Sequence, residues 1–194
     1  MILDLDILAD LAVDFTPRAY VRVTPMARAL TPLGAGFGRT RFASPTNGFK
    51  VIYLAQDLTT GVAETLIRDR FQGRARRKLL EVEAELWGAT EVTAAAPLTL
   101  IDLRTTGLLR LGVSTDAARG KAQSQGRKLS QAIYAQTDAQ GLLYSSRLTA
   151  RTCLCLYDRA LPGPLQATPV IEVSRLVGFV DALRELNVTL IAKS

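Results

Sequence analysis

Short apolar runs alternate with polar or glycine-rich connections along the whole chain. Leucine and phenylalanine recur at three- and four-residue steps between positions 3 and 15, which predicts a short amphipathic helix that ends before Pro17. Alternating apolar and polar positions predict strands at residues 20–23 and 79–86. The continuous apolar run at residues 51–55 predicts a buried strand.

The second half of the chain continues this pattern. Apolar runs predict strands at residues 98–103, 142–147, 153–157, 170–173 and 188–192. Helical spacing predicts helices at about residues 60–71, 128–137 and 174–186. Strands outnumber helices and their connections are irregular, so we predict an α+β fold with a mixed β-sheet core, surrounding helices and a single domain over residues 1–194.

Two features stand beside the predicted strand at residues 51–55. Residues 31–49 are so rich in glycine and proline that regular structure is excluded, and glycine there lets the backbone approach a ligand closely. In the helix that follows the strand, which Thr59 or Thr60 can cap, Glu64 is expected in the first turns, where the helix dipole favours a carboxylate.

The amino-acid composition limits which ligands and which kinds of catalytic site the chain can have. The 194 residues carry 24 Lys plus Arg against 18 Asp plus Glu, a net charge of +6, with arginine in excess. Guanidinium groups suit bidentate recognition of phosphate or carboxylate, so we expect an anionic ligand or an acidic protein partner. The sequence has no histidine, which excludes histidine general bases and histidine-ligated metals, and we expect no metal cofactor.

Compartment signals favour the cytoplasm. Cys153 and Cys155 lie two residues apart in an apolar run, so on a strand both point to one face as buried free thiols. The N-terminus lacks a basic region before its apolar stretch, and no apolar run approaches about 20 residues, so we expect neither a secretory signal nor a membrane span. The basic cluster at residues 74–78 is interpreted as a charged hairpin tip.

Five features, in this order, resemble the RES-domain proteins, bacterial toxins named for an arginine, a glutamate and a serine. The features are Arg22 in its strand, residues 38–42, the strand at residues 51–55, the pair Ala63 and Glu64, and residues 141–147. The resemblance covers about residues 18–160.

The resemblance implies a fold related to the ADP-ribosyltransferase toxins and an activity on NAD+. Members either hydrolyse or phosphorolyse NAD+ or transfer ADP-ribose to a protein. Residues 34–42 and 57–64 look closest to the ParT-like branch, which is known for modifying phosphoribosyl pyrophosphate synthetase.

The resemblance also implies site residues. Glu64 is the expected catalytic carboxylate, because it would stabilise the oxocarbenium-like state formed when the nicotinamide–ribose bond breaks. Arg22 and Arg41 would bind the pyrophosphate or fix the nicotinamide ribose. Tyr53 would stack on nicotinamide and offer its hydroxyl to the ribose, and Ser146 would donate a hydrogen bond to the ligand or to Glu64. Glu64, Arg22 and Ser146 are thus the predicted catalytic residues, and Arg22, Arg41, Tyr53 and Ser146 the predicted NAD+-binding residues.

Several alternatives stay open. Thr40 separates two arginines, so Arg39 competes with Arg41, and Ser145 competes with Ser146, which would face the opposite side of a strand. Glu64 and Arg68 could form only a helix-surface ion pair.

The expected partners are NAD+, a cognate antitoxin with a DNA-binding region and, for a transferase, a protein acceptor, with no membrane and no direct nucleic-acid contact. The alternative function is a basic, non-catalytic module that binds nucleic acid or an acidic protein through residues 74–78.

Overall fold

A mixed β-sheet forms the centre of the molecule, and helices pack around it. The computed structural model describes residues 1–68, 70, 71, 74–120, 122–161 and 163–192. The α-helices of these residues are α1 (Leu5–Leu11), α2 (Leu58–Val62), α3 (Glu81–Ala84), α4 (Gly107–Arg110), α5 (Asp116–Arg119), α6 (Ser124–Gln136) and α7 (Phe179–Glu185). The strands are β1 (Ala12–Phe15), β2 (Tyr20–Pro25), β3 (Val51–Ala55), β4 (Arg77–Leu80), β5 (Trp87–Ala94), β6 (Leu98–Asp102), β7 (Gly141–Ser145), β8 (Thr152–Tyr157), β9 (Leu165–Ala167), β10 (Ile171–Glu172) and β11 (Val188–Ile191).

The main sheet has the strand order β1-β6-β7-β8-β3-β2-β5-β10, and β9 also pairs with β5. Only β6 and β7 run parallel among these described pairs, while β4 and β11 form a separate parallel pair. This mixed sheet with surrounding helices confirms the predicted α+β class. It also brings β2 and β3, which are separated by the long glycine-rich loop, side by side.

Alternating side chains of the central strands enter different parts of the core. In β8, Cys153, Cys155 and Tyr157 pack with α1 and α6, whereas Leu154 and Leu156 pack on the opposite face. The two cysteines therefore share a face, as predicted, and both are free thiols. Burial raises the pKa of the Cys153 thiol to about 12, so this sulfur stays protonated and unreactive at neutral pH.

Helix α2 differs from the prediction at both ends. Its N-cap is Asp57, whose carboxylate accepts the Thr60 N–H at 2.8 Å, rather than Thr59 or Thr60. After Val62 the helix widens into a π-turn over Ala63–Ile67, in which the Arg68 N–H donates to the Ala63 carbonyl at 2.8 Å. Glu64 thus lies beyond the first turn, where the dipole effect has largely fallen off.

The alternation at residues 79–86 gave a wrong prediction. Strand β4 ends at Leu80, and α3 follows at once, because the Glu83 carboxylate accepts the Leu80 N–H at 3.1 Å in a helix-capping arrangement. The long strand of this region is β5, which the alternation did not predict.

Other boundaries also moved, and the helix predicted at residues 128–137 begins earlier, at Ser124. The first helix ends at Leu11, and β1 follows because its residues pair with β6. The strand predicted at residues 142–147 ends at Ser145. The last helix begins at Phe179, since Gly178 adopts a left-handed φ of 90° immediately before it.

In the part of the chain that is described, no helix has both the length and the apolar composition needed to cross a membrane.

Candidate active site

A cleft of about 350 Å³ opens between the glycine-rich loop, strands β2 and β3, and the π-turn after α2. Four of the predicted site residues line it, namely Arg22, Arg41, Tyr53 and Glu64. The fold thus brings together side chains that are far apart in the sequence, and the fifth predicted residue reaches the cleft through Glu64.

Ser146 and Glu64 are joined by a short hydrogen bond. The Ser146 hydroxyl donates to Glu64 Oε1 at 2.7 Å, and its oxygen accepts the N–H groups of Leu148 at 3.1 Å and Thr149 at 3.2 Å. Because two backbone donors occupy the oxygen, the single hydroxyl proton is directed at the carboxylate. The other carboxylate oxygen lies 3.7 Å from Arg68 Nη1, so the surface-pair geometry expected of these two residues is also present.

The end of β7 decides between the two serines. Ser145 is the last strand residue and pairs with Thr152 of β8. Ser146 begins the turn that follows, where its N–H donates to the Arg151 carbonyl at 2.8 Å, and it is buried. Ser146 is therefore the serine that contacts Glu64.

Arg22 is buried, with 8% of its surface exposed. Its Nη2 donates to the Gly34 carbonyl at 2.7 Å, whereas its Nη1 has no hydrogen-bond partner among the described residues. Burial, with a smaller contribution from Arg28, lowers the pKa of Arg22 to about 10. A buried cation with a free donor is costly, so this nitrogen fits an anionic ligand oxygen.

The two competing arginines of the loop occupy different places. Arg41 is buried, lines the cleft, and donates from Nη1 to the Gly120 carbonyl at 2.7 Å. Burial first, and then the charge of Arg147, lowers its pKa. Arg39 is exposed and lies outside the lining of the cleft.

Tyr53 presents its ring to the cleft and uses its hydroxyl elsewhere. The hydroxyl oxygen accepts the Phe42 N–H at 2.9 Å and shares a hydrogen bond of 2.8 Å with the Thr40 hydroxyl. Burial raises the pKa of Tyr53 well above its usual value, so the phenol stays neutral. The hydroxyl thus fastens the loop to β3, and the ring is the part available to a ligand.

Sequence reasoning did not assign a site role to Arg28, Arg68, Trp87 or Tyr144, which all line the cleft. Tyr144 could have been found, because it lies two residues before Ser146 and so shares its side of the chain near the strand end. Trp87 could not, since it pairs with Pro25 through the unpredicted strand β5.

The other candidate chemistry lies outside the cleft. Within the described ranges, no three or more Cys, Asp or Glu side chains lie close enough together to hold a metal ion. The basic residues Arg74, Arg76 and Lys78 are exposed, and the cluster leads into β4 rather than forming only a hairpin tip.

Comparisons with known proteins find a similar curated protein and a similar solved structure. A curated protein of Sinorhizobium fredii (strain NBRC 101917 / NGR234), named probable toxin y4kH, is 42% identical over 67 residues, which are 34% of this chain and 53% of that protein. The aligned part of the chain thus spans about half the length of this relative. The crystal structure of the M. tuberculosis MbcT–MbcA toxin–antitoxin complex is similar with a TM-score of 0.69 over 94% of this chain and 95% of that chain, at 20% identity. At that identity the likeness concerns the fold alone.

A family model of the RES domain matches residues 16–177, which include Arg22, Glu64 and Ser146. The match covers most of the chain and agrees with the resemblance drawn from its motifs, so the protein belongs to the RES-domain family.

Proposed function

We propose that this protein is the toxin of a toxin–antitoxin pair and that it cleaves the bond between nicotinamide and ribose in NAD+. The observation that carries the proposal is the 2.7 Å hydrogen bond between Ser146 and Glu64 at an arginine-lined cleft. Membership of the RES-domain family supports it, as do a relative named probable toxin and a similar fold in a toxin–antitoxin complex.

Glu64 supplies the electrostatic part of the reaction. When the C1′–N bond breaks, its electron pair leaves with nicotinamide, which departs as a neutral base, and positive charge develops on the ribose. A carboxylate beside the ribose stabilises that charge. The Ser146 hydroxyl holds the carboxylate in one orientation, so the charge is in place before the bond breaks. The neutral leaving group explains why a chain without histidine can perform this step.

The arginines and Tyr53 bind the rest of the substrate. Arg22 has a buried donor that no described residue accepts from, and a pyrophosphate or ribose oxygen of NAD+ would satisfy it. Arg41 lies on the loop side of the same cleft. The Tyr53 ring offers a π face to the cationic nicotinamide ring.

Three nucleophiles could complete the reaction by donating an electron pair to C1′ and losing a proton. Attack by water gives ADP-ribose, attack by inorganic phosphate gives ADP-ribose 1-phosphate, and attack by a protein side chain gives an ADP-ribosylated protein. Phosphoribosyl pyrophosphate synthetase is the candidate acceptor for the last reaction. Incubation with NAD+ labelled in its adenylate half, with and without phosphate and with cell extract, separates the three by product. The cognate antitoxin is expected to suppress whichever reaction occurs.

The first prediction concerns Glu64→Gln. We expect purified protein to release nicotinamide from NAD+ and the substitution to lower kcat by about 10³-fold, as when a group aimed at developing charge is removed. The thermal midpoint should stay within about 2 °C of the parent protein. Chromatography of released nicotinamide gives kcat.

The matched control is Glu91→Gln, which changes an exposed glutamate of β5 outside the cleft and should leave kcat within twofold. An inactive parent protein would contradict the proposed activity. An active parent with an equally active Glu64→Gln variant would remove Glu64 from its role.

A further inference from the structure

The turn at residues 146–151 rests on α2 at more than one point. Besides the bond between Ser146 and Glu64, the Thr149 and Thr60 hydroxyls share a hydrogen bond of 3.0 Å. Arg151 Nη1 lies 3.3 Å from Asp57 Oδ1, the N-cap of the helix. The turn is thus fastened both to α2 and to the π-turn that continues it and carries the proposed catalytic carboxylate.

The three residues that the turn contacts run along α2 from its N-cap to the π-turn that follows it. Asp57 caps α2, Thr60 lies within it and Glu64 lies in the π-turn that follows, and each of the three contacts the turn at residues 146–151. The turn contacts these residues in reverse chain order, because Arg151 contacts the N-cap Asp57 and Ser146 contacts the Glu64 carboxylate. The turn and these three residues therefore form one continuous contact.

Burial separates the strong contacts from the weak ones. Thr60 is fully buried and Thr149 is partly buried, so water does not compete well for their hydrogen bond. Arg151 and Asp57 are each more than a third exposed, so water screens their ion pair. Arg151 gains a second partner in Glu185 of α7, 2.8 Å from its Nη2.

Displacement of the turn would move the serine hydroxyl directly. The Ser146 oxygen accepts the N–H of Thr149 itself, at 3.2 Å, so the two residues move together. Ala150, next in the turn, adopts a left-handed φ of 60°, which a residue with a Cβ keeps only when its surroundings hold it.

We propose that Thr149, through Thr60, and Arg151, through Asp57, are positioning residues that keep the Ser146 hydroxyl on the Glu64 carboxylate. The inference rests on the proposed NAD+ cleavage, because the consequence of losing this position is a slower chemical step. Because residues 146–151 lie outside the lining of the cleft, we expect substrate binding through Arg22 and Tyr53 to change little when the turn moves.

Thr149→Val tests the proposal, since it exchanges the hydroxyl for a methyl group of similar size. We expect kcat for nicotinamide release to fall about tenfold and KM for NAD+ to change less than twofold, and Thr149→Ser to restore kcat to within twofold. Thr99→Val, the same exchange at an exposed position of β6, is the matched control and should keep kcat within twofold. An unchanged kcat in Thr149→Val would overturn the role of Thr149.

A double substitution distinguishes positioning from a general structural role. If Thr149 acts through Ser146, then Thr149→Val should cause no further loss of kcat in a Ser146→Ala protein. Losses that multiply would overturn the proposed route. Arg151→Gln should lower kcat about threefold, less than Thr149→Val because its ion pairs are partly exposed, and no loss would remove Arg151 from the proposal.

Amide hydrogen exchange gives a readout that does not need activity. In Thr149→Val and in Thr60→Val, the amides of residues 146–151 should exchange at least about tenfold faster than in the parent protein, while those of β7 stay unchanged. Exchange as slow as in the parent would overturn the docking of the turn, even if NAD+ were not the substrate. An inactive parent with faster exchange in the variants would instead contradict the proposed function alone.

Discussion

Arg22 is energetically costly to bury as a cation, and it gives the most direct indication that the cleft binds a ligand. Its pKa of about 10 in the folded chain means that burial disfavours the charged form by on the order of 3 kcal/mol. The hydrogen bond to the Gly34 carbonyl offsets part of this cost, but Nη1 remains without a partner in the part of the chain that the structure describes. A residue that destabilises the empty protein is expected where the ligand supplies the missing interaction.

The substitution Arg22→Met should therefore separate stability from activity. Methionine fills much of the same volume without a buried charge, so we expect the thermal midpoint to rise by about 2–4 °C, equivalent to about 1 kcal/mol. Nicotinamide release should fall at least about 10²-fold, because the anionic part of NAD+ loses its buried donor. Calorimetry and steady-state kinetics measure the two effects.

Arg39→Met is the control for this pair of measurements. Arg39 is exposed and lies outside the cleft, so both the midpoint and kcat should stay close to the parent values. A strong loss of activity in Arg39→Met, together with an active Arg22→Met protein, would show that the anion is bound on the outer side of the loop.

At the scale of elements, the close approach of α2 to the sheet positions the π-turn that carries Glu64. A Cβ on Gly61 would lie 3.0 Å from Val23 Cγ2 and 3.5 Å from Val21 Cγ1, so the helix rests on β2 through a residue without a side chain. Both valines lie on the face of β2 opposite Arg22, as their alternation predicted. The packing of α2 on β2 thus holds the π-turn that carries Glu64 beside the strand that carries Arg22.

Gly61→Val should push the helix away from the sheet. We expect a loss of stability of about 2 kcal/mol from overpacking and a fall in kcat of about tenfold or more as Glu64 moves. Gly61→Ala is the graded control, because its better helix propensity offsets the tight contact and its midpoint should change by less than about 2 °C. Urea unfolding and nicotinamide release measure both. A Gly61→Val protein with normal kcat would mean that the position of α2 against the sheet does not limit the reaction.

Elements were predictable from the sequence where one signal acted alone. Strand β3 followed from a continuous apolar run, and helix α6 and the pair of cysteines on one face of β8 followed from periodicity. The prediction failed at α3, where the alternation of a strand coincided with a capping glutamate, and the local hydrogen bond decided the outcome. The π-turn at Glu64 has no signature in periodicity, so the exact direction of that side chain was beyond reach.

At the scale of the whole molecule, the site is assembled by strand order rather than by neighbours in sequence. Arg22 and Glu64 line one cleft, and Ser146 reaches Glu64, because β2, β3, β8 and β7 are adjacent in the sheet. In this order β3 pairs with β8, which comes from a distant part of the sequence. Motif order could indicate which residues belong together. It could not reveal that Ser146 binds Glu64 from a turn, nor that the Tyr53 hydroxyl accepts a hydrogen bond from the glycine-rich loop.

The charge of the cleft gives a last prediction at this scale. Among the described residues that line it, four are arginines and one, Glu64, is a carboxylate. Raising NaCl from about 0.05 to 0.5 M shortens the screening length severalfold, so KM for NAD+ should rise about three- to tenfold while kcat stays within twofold. Two variants test whether the cleft itself attracts the anion. In Arg28→Gln the salt-dependent rise in KM should be smaller than in the parent protein, because an exposed cation of the cleft is already gone.

Arg74→Gln removes an exposed cation outside the cleft. In this variant the rise in KM should match that of the parent protein, because the cleft rather than the net charge of +6 attracts the anion. Equal weakening of the salt dependence in both variants would instead favour attraction by the overall charge, and a KM independent of salt would contradict an anionic substrate in this cleft.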